Sequence, residues 1–225
     1  MFDVLPDICI AAVITRGIDN RSDTTRINDL LAAEIDSLRE RMDGCDAREH
    51  PAIIPYRDAF RHLGVNPNKY PNSIEALARR VLKGSDLPRI NPVVDIYTAI
   101  SLKYLVAMGA HDLERATDDF EVRLSRTGDT FMPIGSSEIE RLAPGELVYA
   151  TGDIIHTRHW IWRQSELGKI DLDCGTIIFP IDGFAGINDD AVMAARDELA
   201  TLIQDFFKVD TTVGFLDRQH SQLPL

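Results

Sequence analysis

The sequence predicts an α+β fold: helices in the first half, a mixed or antiparallel sheet in the second, and a closing C-terminal helix. Three observations carry this. Apolar residues recur at helical spacing in several segments between 27 and 108, a two-residue alternation replaces that spacing after Asp119, and the helical period returns over 189–207. With 225 residues, 44% of them hydrophobic, the chain can bury a sizeable core as one domain spanning 1–225.

Residues 8–14 (Ile-Cys-Ile-Ala-Ala-Val-Ile) form a β-branched apolar run short enough for a buried strand, and the stretch from Gly17 to Thr25 is polar and turn-like. Ile27, Leu30, Leu31, Ile35, Leu38 and Met42 then fall on one helical face, with Gly44 as a stop. A second helix carries Tyr56, Ala59, Phe60 and Leu63 inward and Arg57, Arg61 and His62 outward, ending at Gly64. After a loop over 65–72, Asn72 caps a third helix in which Glu75 occupies the capping-box position and Gly84 marks the end. Asn91-Pro92 opens a fourth helix, apolar on most sides and reaching about Met108, with proline at the position where its missing N–H costs nothing. Phe120, Val122 and Leu124 alternate with polar neighbours as a half-buried strand. Further strands are expected at 130–134, 146–151, 154–162 and 176–182, then a helix over 189–207 and a frayed tail after Gly214.

The 24 basic and 36 acidic side chains give a net charge of −12, which excludes a broad basic face for nucleic acid. The segment from Arg57 to Lys103 departs from this, with eight basic and four acidic residues. Such a patch is either a solvated face or a surface that holds a phosphate chain weakly and salt-sensitively. No apolar stretch approaches the length of a membrane span and no basic leader precedes the first apolar run, so a soluble, cytoplasmic protein is expected. Three widely separated cysteines, Cys9, Cys45 and Cys174, read as reduced thiols rather than a disulfide framework or metal knuckle. No dinucleotide glycine fingerprint, phosphate-binding loop, HExxH or GxSxG motif is present, and no cofactor or metal is expected.

Functional side chains are densest at His156-Thr157-Arg158-His159-Trp160-Ile161-Trp162-Arg163-Gln164. In an extended strand His156, Arg158, Trp160 and Trp162 share one face. Aromatics beside arginine either stack a base or hold an amino-acid side chain, or else fill core with the charges at its rim. Zinc at His156 and His159 would need Cys174 or Asp173 recruited from the next strand, and no local signature supports Cys174 as a nucleophile. A second cluster, Arg89-Ile90-Asn91-Pro92-Val93-Val94-Asp95, sets Asn91 and first-turn N–H groups at a helix mouth suited to a carboxylate, ester or phosphate, unless these residues only cap.

Tyr56-Arg57-Asp58-Ala59-Phe60-Arg61, the Leu87–Asp95 segment, Gly145-Glu146-Leu147, and Arg158–Gln164 followed by Thr176-Ile177-Ile178-Phe179 occur in that order. Together they resemble the tRNA-binding and editing domain of the phenylalanyl-tRNA synthetase β subunit, formed by its B-three and B-four modules, over about 55–185. The resemblance implies a free-standing deacylase that hydrolyses mischarged tRNA in trans, without aminoacylation. The family's pocket histidine corresponds here to Gly109, with His111 two residues later, and its glycine-rich pocket segment is replaced by Arg158–Gln164, so pocket specificity does not transfer. On this reading Asp95 receives the α-ammonium, Asn91 orients the ester or terminal ribose, and His156 or His159 positions water. Arg163 neutralises an oxyanion or phosphate, while Arg89, Trp160, Trp162 and Gln164 contact the substrate. Arg57, Arg61 and Arg89 are outer tRNA contacts. The partner is then aminoacyl-tRNA, bound weakly and salt-sensitively. Alternatives are a non-catalytic module for a free amino acid or the tRNA acceptor end, and a hydrolase of another small ester or amide.

Overall fold

A computed structural model describes residues 1–21, 25–114, 116 and 118–224, so residues 22–24 of the turn-like stretch and residue 225 of the tail lie outside the described residues. The helices are α1 (Thr25–Arg41), α2 (Ile54–His62), α3 (Ser73–Leu82), α4 (Pro92–Tyr104) and α5 (Asp189–Phe207). One sheet runs β11 (Thr211–Leu216), β1 (Ile8–Arg16), β10 (Thr176–Phe184), β2 (Ala107–Met108), with β3 (His111–Asp112) also on β10, and all its pairs are antiparallel. The other sheet runs β4 (Phe120–Leu124), β7 (Leu147–Thr151), β8 (Ile154–Arg158), β5 (Thr130–Phe131), β6 (Glu140–Arg141), with β9 (Arg163–Gln164) also on β8; its single parallel pair is β5 with β8.

The central strands β1 and β10 have almost every side chain buried because both faces of their sheet are covered. Ala11, Val13, Phe179 and Ile181 pack with Ile96 and Ile100 of α4 and Val192, Leu199 and Ile203 of α5. On the other face Ile10 joins a core with α1, α2, α3 and the Trp160 region. The α1 stripe Ile27, Leu31, Ile35 and Leu38 is buried, as its spacing requires.

Three expectations change. The fourth helix stops at Tyr104, because Leu105 turns left-handed (φ 53°) and releases the chain into β2. The segment after Gly214 is not a frayed end at its start: Gly214–Leu216 continue β11, which pairs with β1, and a Cβ on Gly214 would fall 2.4 Å from a Leu223 methyl, so the tail folds back there. Of 130–134, only Thr130–Phe131 is strand. No helix among the described residues is long and apolar enough to cross a membrane.

Arg57 corrects its sequence assignment. Its guanidinium is buried and donates to both Glu75 oxygens (2.8 and 2.7 Å) and to Asn68 Oδ1 (2.7 Å), tying α2 to α3. Glu75 therefore faces Arg57 rather than completing a capping box, although Asn72 Oδ1 does accept the Glu75 N–H at 2.9 Å. Arg57 is not presented to a tRNA phosphate. Arg57→Ala strands a fully buried carboxylate whose remaining side-chain contact among the described residues is Arg79 at 3.4 Å. Urea unfolding should show a loss of ~3 kcal/mol, partly recovered in the Arg57→Ala/Glu75→Ala double variant.

Candidate functional site

A cavity of about 400 Å³ lies where α3, the start of α4, the β2–β3 segment, β7, β10 and the β8–β9 turn meet. Its buried floor is formed by Tyr149, Trp160, Pro180 and Asp182; Arg80, Pro88 and Ile90 stand exposed at its rim. Tyr97 and Thr98 of α4, Gly109 and His111, and Trp162 and Gln164 complete the wall. The size falls within the range of ligand pockets, roughly 300–1,000 Å³, and the composition matches them too: apolar and aromatic surface with a few convergent polar groups.

The ribbon reaches this cavity by a different geometry from the alternating strand expected over 154–162. β8 ends at Arg158, and His159 (φ 44°) and Trp160 (φ 62°) are both left-handed, so the strand alternation is lost. Left-handed backbone costs a non-glycine residue ~1–2 kcal/mol, and here Glu146 supplies compensation. Its carboxylate accepts from Arg158 Nε and Nη2 (3.0 and 2.8 Å) and from the His159 N–H (2.8 Å). The Trp160 N–H donates to Leu147 O, and the Ser73 N–H of α3 donates to Ile161 O. Trp160 is thereby driven fully inward.

There its indole Nε1–H donates to Asp182 Oδ1 at 2.6 Å, and the Tyr149 hydroxyl donates to the same oxygen at 2.6 Å. The Tyr56 hydroxyl donates to the Asp182 carbonyl (2.7 Å), accepts the Ala107 N–H and meets Asn188. Burial pushes the Asp182 carboxyl up to about 7, in spite of two donors that favour its ionised form. Oδ2 receives no hydrogen bond from the described residues.

His111 stacks on Tyr149 (ring centroids 5.6 Å) and meets His156 edge-on at 5.7 Å. Burial, with a smaller contribution from His156, holds His111 neutral, well below the ordinary imidazole range. Its Nδ1 has no hydrogen-bond partner among the described residues, and Gly109 leaves room beside Nε2, which a Cβ at that position would approach to 3.7 Å. His156 is the extra residue of a β-bulge, where Tyr149 pairs with Thr157 and Ala150 with Ile155. It is buried, bonded through Nε2 to Thr151 Oγ1 (2.8 Å), and pushed down to about 4 by burial.

Of the residues assigned from sequence, Trp160, Trp162 and Gln164 meet in this cavity, Gln164 with its amide donating to Ala110 O and Gly168 O. The others do not line it. Asn91 caps α4, accepting from Val94 N (3.0 Å) and donating to Ile170 O (3.1 Å), while Asn20 Oδ1 takes the Val93 N–H. The helix mouth thus has its first-turn donors satisfied internally and is not an open anion site. Asp95 is buried and accepts from the Ile90 N–H, closing the turn before its own helix. His156 lies behind His111, and His159 sits against Tyr70 and Trp162 instead of in the cavity. Arg163 is exposed, stacked at 6.0 Å over Trp162. Arg61 pairs with Asp58 on the surface and Arg89 donates to Asn28 O. Burial pushes the Cys174 thiol up to about 12, so it holds no resting thiolate. Among the described residues no cluster of three or more His, Cys, Asp or Glu side chains is arranged to hold a metal.

Sequence reasoning missed the acid on the floor. Asp182 ends the apolar run Ile177-Ile178-Phe179-Pro180-Ile181, and a lone carboxylate within a buried strand is a signal, as is Tyr149 within Leu147-Val148-Tyr149-Ala150.

The sequence model of the B3/4 domain matches residues 55–208. No curated protein matches the chain. Among solved structures, an N-terminal fragment of the phenylalanyl-tRNA synthetase beta-subunit from Pyrococcus horikoshii is similar at 16% identity and a TM-score of 0.42. The match covers 53% of this chain and 41% of that one, so the chain spans less than half the length of that fragment.

The two buried histidines set an acid limit on stability. Each takes up a proton in the unfolded chain near pH 6.5, whereas folded His156 resists until about 4 and burial likewise holds folded His111 well below the ordinary imidazole range. Stability is therefore fully present above about 6.5 and is lost as pH falls toward the folded values. Asp182, raised in the folded state, acts with the opposite sign between about 4 and 7. His156→Gln should flatten the dependence of unfolding free energy on pH by ~1.4 kcal/mol per pH unit across the window from about 4 to about 6.5, read from urea titrations.

Proposed function

The chain belongs to the B3/4 domain family, and from that premise we propose that it is a trans-editing aminoacyl-tRNA deacylase whose aminoacyl group enters the cavity on Asp182. The observation that carries this reading is a pocket of amino-acid size with aromatic walls, a polar floor and a neutral imidazole in one wall. An aminoacyl ester is already activated, so the protein has to place the carbonyl and a water rather than supply a strong base. Trp162 flanks the side chain, Trp160 backs the floor beneath it, and Gln164 fixes the wall against which it packs. His111 takes the water-positioning role, since its lone pair is kept unprotonated at neutral pH and Gly109 leaves space beside it. Asn91 and Asp95 act indirectly, by holding the α4 entry so that Ile90, Val94 and Tyr97 face the substrate. On this reading Arg80 at the rim and Arg163 beside Trp162 take the 3′-terminal phosphate of the tRNA.

A non-catalytic amino-acid-binding role is the second reading, favoured by the net charge of −12, which opposes tight binding of tRNA alone. Incubation with a panel of tRNAs mischarged with labelled amino acids separates the two. At least one should be deacylated above the buffer rate, and His111→Asn should lower that rate about 100-fold per folded molecule, the folded fraction being read from its urea midpoint. Stability of every pair at the buffer rate eliminates the deacylase.

A further inference from the structure

We infer that the cavity recognises an organic ammonium group, with the Asp182 carboxylate as its counter-ion and the ligand's anionic end at Arg80; this rests on the cavity being the aminoacyl site but not on hydrolysis.

The argument begins with what surrounds Asp182. The residue is 1% exposed yet lines the cavity, and no ion pair reaches it among the described residues. Its Oδ1 accepts from both Tyr149 and Trp160, leaving Oδ2 as the acceptor available to a ligand. The titratable groups facing it from neighbouring elements bring no positive charge. Tyr56 of α2 and Tyr149 of β7 are phenols held neutral by burial, Cys9 of the adjacent strand β1 is a buried thiol raised to about 12, and His111 of β3 is neutral. From α5, Asn188 is uncharged and Asp189 is acidic. A desolvated carboxylate without a cation is costly, and a ligand that supplies one removes the cost.

The walls agree with the floor. Tyr97 and Trp162 present aromatic surface over a floor that Tyr149 and Trp160 back, and their negative faces attract an ammonium over a neutral or anionic group of the same size. The one cation of the lining, Arg80, is exposed at the rim, where its Nε donates to Asp86 O. The site is therefore polarised, acid inside and guanidinium outside. That orientation fits an amino group inserted first and a carboxylate or phosphate trailing, whether the ligand is a free amino acid or an aminoacyl ester.

Three probes of one shape test this: phenethylamine, 2-phenylethanol and phenylacetate, titrated while following tryptophan fluorescence, since both tryptophans of the chain line the cavity. At about pH 8 the amine should bind at least about tenfold tighter than the alcohol, with the carboxylate weakest. The advantage should shrink about tenfold per pH unit below about 7, where the empty Asp182 takes up its proton. Asp182→Asn should remove most of the amine's advantage over the alcohol, leaving only what the aromatic walls supply; should that variant not fold, the wild-type series and its pH profile still decide. Equal or tighter binding of the alcohol or the carboxylate, a flat pH profile for the amine, or no binding of the amine overturns the inference. An ammonium preference in a protein that deacylates nothing removes only the deacylase, and hydrolysis without that preference removes only the ammonium site.

Discussion

One oxygen atom organises the interior. Asp182 Oδ1 gathers a phenol from β7 and an indole from the β8–β9 turn onto a strand of the other sheet, so three separate segments converge on a single acceptor. Each donor reaches it only by a local departure from regular structure. Tyr149 lies at a β-bulge, and Trp160 sits in a left-handed turn that ordinary residues avoid. The strain of that turn, ~1–2 kcal/mol for each of two residues, is of the same order as the burial of one large apolar side chain, and Trp160 has no exposed surface at all. The Glu146 carboxylate, held by Arg158 and the His159 N–H, adds charge-assisted bonds that fix the turn from outside. Removing any of these parts would leave a buried carboxyl with fewer donors than it needs, and the floor of the cavity would lose its shape.

The entry to α4 is organised by a different economy. Asn91, Asn20 and Asp95 each spend a side-chain oxygen on a backbone N–H of this entry, and Asn91 and Asn20 also donate to the loop around Ile170 and Asp171. What appears in sequence as a helix mouth open to anions is a closed clasp. Its effect on the cavity is positional, because the same clasp sets Val94, Tyr97 and Thr98 on the inner side of the helix. A positive helix terminus offers nothing to a ligand once its N–H groups have partners.

The fold was legible where periodicity is local. The α1 stripe, the Asn72 and Asn91 caps and the long apolar strands at 8–14 and 176–182 follow from spacing alone. What stayed hidden depends on contacts distant in sequence. Arg57 lies on the face of α2 that faces α3, which no pattern within α2 reveals, so its charge was read as exposed. Trp160 and Trp162 broke the alternation because Glu146, from the turn just before β7, stabilises a conformation that a propensity argument disfavours. β11 escaped notice because Thr211–Leu216 is an edge strand with mixed exposure, and its pairing with β1 spans almost the whole chain. Asp182 was overlooked because a strand was read for its apolar residues, when its one carboxylate is the side chain that lines the cavity.

The acidity of the chain bears on how such a pocket meets a polyanion. Of the basic residues between Arg57 and Lys103, Arg57, Arg61, Arg79 and Lys103 are paired with carboxylates, and Arg89 is turned to a backbone carbonyl. The local excess of positive charge in sequence thus leaves few cations for phosphate: chiefly Arg80 at the cavity rim, Lys69 against Tyr70, Lys83, and Arg163 from the ribbon. A handful of exposed cations on a body at −12 gives attraction that falls off within a Debye length, about 8 Å at physiological ionic strength. A long RNA backbone is then repelled by most of the surface, and only a short end brought to the rim gains from Arg80. The same charge distribution favours an ammonium that has entered, since the acidic body lowers its energy at every depth. Affinity on this surface has to come from what is inserted into the cavity, with the rim cations serving to orient the end that remains outside.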